Sequence, residues 1–136
     1  MALMVLTAAY LSIAGNDLSA NTQKAEVTAE VEDKDVTTFA SLGWKELLGG
    51  LKSGSVSATF LQDVAATKID SIMWPLLGTV VAFEARLTNA VVGASNPKYT
   101  GSLLVKKWAP VSGAVGDVAT SEVEFPTSGV ITRATA

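Results

Sequence analysis

The chain has 136 residues and a formal net charge of −3, with neither cysteine nor histidine. The length suits one domain over residues 1–136, able to bury roughly two-thirds of the surface its unfolded form exposes. The missing residue types exclude disulfides, cysteine- or histidine-ligated zinc, iron–sulfur clusters, Ser-His-Asp arrangements and imidazole acid–base chemistry, and the acidic balance argues against a sequence-independent grip on nucleic-acid phosphates.

The opening run MALMVLTAAYLSIAG is apolar, but its first basic residue is Lys24, so it lacks the charged start of a secretory signal. Thr7, Tyr10 and Ser12 interrupt it, and it is too short to span a bilayer. A soluble intracellular chain with no membrane partner is expected, with a first strand over 5–14 ending at Gly15-Asn16-Asp17. Residues 23–32 alternate next. Ala25, Val27, Ala29 and Val31 fall on one side, Glu26, Thr28, Glu30 and Glu32 on the other, and Lys34 and Asp35 close the predicted strand.

Residues 33–53 are predicted as a connection far longer than the roughly 2–5 residues of a hairpin loop. Trp44–Leu48 is expected to form a helical turn stopped by Gly49-Gly50. Phe39, Leu42, Trp44, Leu47, Leu48 and Leu51 make this connection apolar, so it must bury area over its own sandwich or on a neighbour. Residues 55–61 resume the alternation, with Val56, Ala58 and Phe60 opposite Ser55, Ser57 and Thr59.

In 66–78, ATKIDSIMWPLLG, the spacing of Ile69, Ile72, Met73 and Leu76 predicts a helix with one apolar face against a sheet. Thr67 and Asp70 fit the start of a capping box, worth about 1 kcal/mol, and Pro75 should end or kink the helix near Trp74. Strands follow over 79–88, 101–109, 118–125 and 129–134. In the first of these Val81, Phe83, Ala85 and Leu87 oppose Glu84 and Arg86; in the third Thr120, Glu122 and Glu124 point away from Val123 and Phe125. Period-two patterning broken by glycine and proline turns predicts a mainly β fold, a two-sheet antiparallel β-sandwich or partial barrel flanked by one α-helix.

Three readings compete for the glutamate row. It can be the solvated face of an antiparallel sheet, a carboxylate pair for glycosidase-type catalysis, or a wall beside DNA that must not adhere, since carboxylates repel phosphate. Glu122 and Glu124 repeat the pattern on a later strand, which favours the wall. No aromatic-lined cleft for a sugar is evident, and GGLKSGS lacks the spacing of a phosphate-binding loop. Trp108 beside Lys106 and Lys107 is either a cation–π patch or an edge-facing tryptophan. VLTAAYLSIA and SVSATFL carry no charge and no proline, so either would pair with another chain if it formed a sheet edge.

The order of several segments resembles the major tail (tail tube) proteins of long-tailed, non-contractile bacteriophages. They are NDLS at 16–19, FASLGWKELLGGLKSGSVSATFLQD at 39–63, WPLLGT at 74–79, NPKYTGSLLV at 96–105 and VEFPTSGVITRAT at 123–135. The resemblance implies a structural virion protein with no catalytic role and no cofactor. Six copies would close a ring, one sheet of each joining a continuous inner barrel, and rings would stack into the tail tube. Glu26, Glu30, Glu32, Glu122 and Glu124 would face a lumen carrying phage DNA without specific binding, although Lys24 and Lys34 bracket the first row. Phe39, Leu42, Trp44, Leu47 and Leu48 would meet neighbouring subunits. Tape measure, tail tip and terminator proteins would be further partners, in the virion tail and, during assembly, in the host cytoplasm. The alternative is a monomeric β-sandwich binding module for carbohydrate or protein, which would keep Phe39, Trp44 and Leu47 on its own core.

Overall fold

A computed structural model of the chain describes residues 3–136. Eight strands and one helix follow in chain order: β1 (Tyr10–Ile13), β2 (Asn16–Asp17), β3 (Thr22–Asp35), β4 (Leu47–Leu61), α1 (Ile69–Leu76), β5 (Val80–Arg86), β6 (Lys98–Leu104), β7 (Thr120–Pro126) and β8 (Thr132–Ala134). Two antiparallel sheets result, a larger one ordered β2-β1-β5-β6-β8 and a smaller one ordered β3-β4-β7. The predicted β-sandwich with one helix is therefore the observed architecture.

The alternation read from the sequence makes the core. Leu11 and Ile13 of β1, Phe83 of β5 and Leu103 of β6 meet Val56 and Phe60 of β4 and Val123 and Phe125 of β7, all buried. Each such side chain stabilises the fold by about 1.5–3 kcal/mol when fully covered. Ile69 and Met73 of α1 are buried as their spacing predicts, with Ile72 and Leu76 packed partly against the same core. The chain passes from β7 to β8 over Gly54, where an added Cβ would stand 2.5 Å from Ile131 Cδ1 and 2.6 Å from the Thr28 carbonyl. Only a glycine lets the crossover lie that close to β4.

Several local expectations are corrected. The first strand is limited to residues 10–13, and residues 3–8 are largely exposed with no ladder partner. The connection 33–53 is mostly strand: Asp33, Lys34 and Asp35 pair with Gly49, Leu48 and Leu47, beyond a bulge at Val31/Asp33. The true connection is 36–46, and Trp44–Leu48 is not helical, because Leu47 already opens β4 and the one helical turn lies at Phe39–Ser41. The capping box at α1 does not form. Thr67 adopts a φ of 65° and Lys68 caps without a side-chain bond. Asp70 instead accepts hydrogen bonds from Trp108 Nε1 at 3.0 Å and Gln62 Nε2 at 3.3 Å. Pro75 sits in the last turn, where little of the helix remains to be interrupted, so α1 reaches Leu76.

Residues 105–109 leave the sheet, and Trp108 is neither an edge nor a lysine-stacking residue: it is buried, with its ring 6.1 Å from that of Phe60. Neither charge-free strand is an open edge. β4 runs between β3 and β7, and β1 is covered by β2 together with bonds from the Leu11 amide to Ser19 Oγ and from the Leu18 amide to the Leu11 carbonyl. The open edges of the smaller sheet belong to the charged strands β3 and β7.

Candidate functional site

The smaller sheet turns one face to the core and the other outward. Its register joins the two glutamate rows: Lys24 lies across from Thr59 and Glu122, Glu26 from Ser57 and Glu124, and Glu30 from Ser53. Strand alternation places these side chains on the face opposite Val56 and Val123. Glu26, Glu30, Glu122 and Glu124 are exposed there, among serine and threonine hydroxyls, with Glu26 accepting from Thr28 Oγ1 at 3.0 Å. Glu32 lies farther along, at the bulge, where it pairs with Lys34 at 3.1 Å. The face is open and polar. Among the described residues it has no aromatic wall to hold a sugar, and no group of three or more acidic side chains placed to hold a metal ion.

Beyond the core, β3 and β4 continue as a two-stranded arm. Its large apolar side chains are exposed. Phe39 is fully exposed, Trp44 is 79% exposed and Leu47 51%, with Leu42 and Leu48 also open to solvent. The arm's Val31, Val36 and Leu51 add to this surface. Of these, Val36 was not singled out from the sequence, and Val31 was assigned with Ala25, Val27 and Ala29 to the apolar side of its strand, whereas it lies beyond the core and is exposed.

The tip of the arm is tightly bonded despite its exposure. Val36 N–H donates to the Glu46 carbonyl at 3.0 Å, and Glu46 N–H donates to Thr37 Oγ1 at 2.8 Å. Thr38 and Ser41 cap each other across the Phe39–Ser41 turn, with Ser41 buried. Leu42 and Gly43, at φ 53° and 86°, then reverse the chain. Hydrogen bonds from the Thr37 hydroxyl and amide hold the Asp35 carboxyl below its ordinary range. No helix among the described residues is long and apolar enough to cross a membrane.

The comparisons with known proteins agree with this geometry. No curated protein sequence matches the chain. Among solved structures it is similar to a component of the tail of an empty gene transfer agent particle, reconstructed with C6 symmetry, at a TM-score of 0.70 and 21% identity over 95% of each chain. It is also similar to a component of the virion of a native gene transfer agent particle, at a TM-score of 0.68 and 22% identity over 87% of each chain. These likenesses establish a shared fold. The family model described as phage tail tube protein matches residues 12–133, nearly the whole chain. The chain belongs to the phage tail tube protein family.

Proposed function

We propose that residues 1–136 act as one tail-tube domain, six copies of which close into a ring that stacks on others to form the tube. β3 and β7 are the two open edges of one sheet. An edge-to-edge contact between them is head-to-tail, and such contacts form a ring when the rotation closes. The C6 symmetry of the gene transfer agent tail, whose component shares this fold, supports six as the ring number. The outer face carrying Glu26, Glu30, Glu122 and Glu124, with Glu32 beyond it, lines the bore. There it repels phosphate and lets phage DNA slide without specific contacts. The screening length is about 8 Å at physiological salt, so the repulsion acts close to the wall.

The observation that carries this reading is the exposed apolar arm. A monomeric binding module would keep Phe39, Trp44 and Leu47 on its own core, whereas all three stand open to solvent. Contacts of this arm with neighbouring subunits bury that area, and the role needs neither catalysis nor a cofactor. The protein would work in the virion tail beside tape measure, tail tip and terminator proteins, after assembly in the host cytoplasm. Size-exclusion chromatography with light scattering tests the reading. The expected product has six times the 14.1 kDa chain mass, or multiples of that. Monomer mass at every concentration would overturn it.

A further inference from the structure

Building on the tube reading, we propose that the arm tip of one copy seats Trp44 in a recess between the two sheets of another copy. The recess opens beside the β3 edge and holds 240 Å³, walled by Ala25, Val27 and Ala29 of β3 with Ala85, Tyr99 and Ile131 from the facing side. An apolar cavity of about 150 Å³ accepts a benzene ring. This recess therefore has room for an indole or a phenyl ring. Four alanines, Ala9, Ala25, Ala29 and Ala85, keep it open, where larger aliphatic residues would have closed it, and an unfilled apolar gap forfeits contacts on its lining.

The plug is formed in advance. The bonds of Val36, Thr37, Thr38 and Ser41 fix the tip, and Trp44 N–H donates to the Ser41 carbonyl at 3.0 Å. The large apolar side chains are left pointing outward. A preformed loop loses little conformational freedom on docking. The tip cannot reach the recess of its own chain. The β3–β4 ladder continues from Ala29 through the bulge at Val31/Asp33 to Asp35, and at about 3.3 Å per residue this carries the tip roughly 20 Å from the recess wall. Only another copy can supply it.

On the rim, Arg86 is already engaged by Glu84 at 3.2 Å and stacks on Tyr10 at 4.0 Å. A plug and a recess on different patches of one chain make a contact that repeats from copy to copy without a two-fold axis, as a growing tube requires.

Because the chain has no cysteine, engineered thiols are unambiguous reporters. Ala40→Cys on the tip leaves Trp44 and Lys45 in place, and Ala9→Cys stands on the recess lining. A short bismaleimide added to assembled protein should give a ladder of multimers on a denaturing gel. Ala40→Cys combined with Ser71→Cys, on the exposed side of α1, should stay monomeric. Tubes seen by electron microscopy without a ladder from the first pair would overturn the seating while the tube reading stands. Neither tubes nor a ladder would overturn both. In a second variant, Ala29→Trp fills the recess from within. It should keep the far-ultraviolet circular dichroism of the parent and lose tube formation; tubes at an unchanged critical concentration would overturn the proposal.

Discussion

Replacing Trp44 and Leu47 together with serine separates assembly from folding. In the isolated chain Trp44 is 79% and Leu47 51% exposed. Full burial of a large apolar side chain stabilises by about 1.5–3 kcal/mol, so the area still open corresponds to about 3 kcal/mol and the area already covered to about 1.5 kcal/mol. The first figure weakens association by about a hundredfold. The second lowers the melting temperature by about 6 °C. Light scattering against concentration reads the first effect, and a circular dichroism melt reads the second. The expected variant is folded and fails to polymerise at concentrations where the parent does. An unchanged critical concentration would refute the reasoning. So would a loss of about 15 °C or more in melting temperature, which would mean that the two residues belong to the monomer's own core.

Gly54→Ala drives a methyl group against the Thr28 carbonyl and Ile131. Backbone cannot swing aside as a side chain does, so a loss of about 2 kcal/mol is expected, read from a denaturant titration; an unchanged midpoint contradicts it. Trp108→Phe removes the Nε1–H donor of Asp70 and should also cost about 2 kcal/mol, with the assembly threshold unmoved once the variant is folded. Changing Glu26, Glu30 and Glu32 to lysine should leave tubes intact but make them retain duplex DNA at low salt and release it at high salt. Variant tubes that hold no DNA would place those side chains away from the bore. Asp35 has a lowered carboxyl value, so its contribution to the tip is full above its ordinary value of 3.8 and is lost as pH falls through the lowered one. The Thr37 amide resonance should shift with a midpoint below 3.8, and a midpoint at or above that value would contradict the bond.

The sandwich was legible because its strands alternate. Val56, Ala58 and Phe60 opposite three hydroxyls already describe a strand with a core on one side and water on the other. The outward glutamates and the apolar arm followed from the same pattern and from the sheer number of large apolar residues in 33–53. What the sequence hid depends on distant partners. LLGGLKSG has no period-two signal, and it is strand because residues 29–35 offer it a ladder. Asp70 looked like a helix cap, but an indole 38 residues away takes its carboxylate. The recess leaves no trace at all, since alanines from separate strands make it by what they do not fill.

The most direct test is cryo-electron microscopy of the polymer formed by the purified protein at rising concentration. The account predicts a hollow tube of stacked sixfold rings, with β3, β4 and β7 around the bore and Glu26 and Glu124 pointing into it. A solid filament, or a tube with those glutamates on its outer surface, would contradict it.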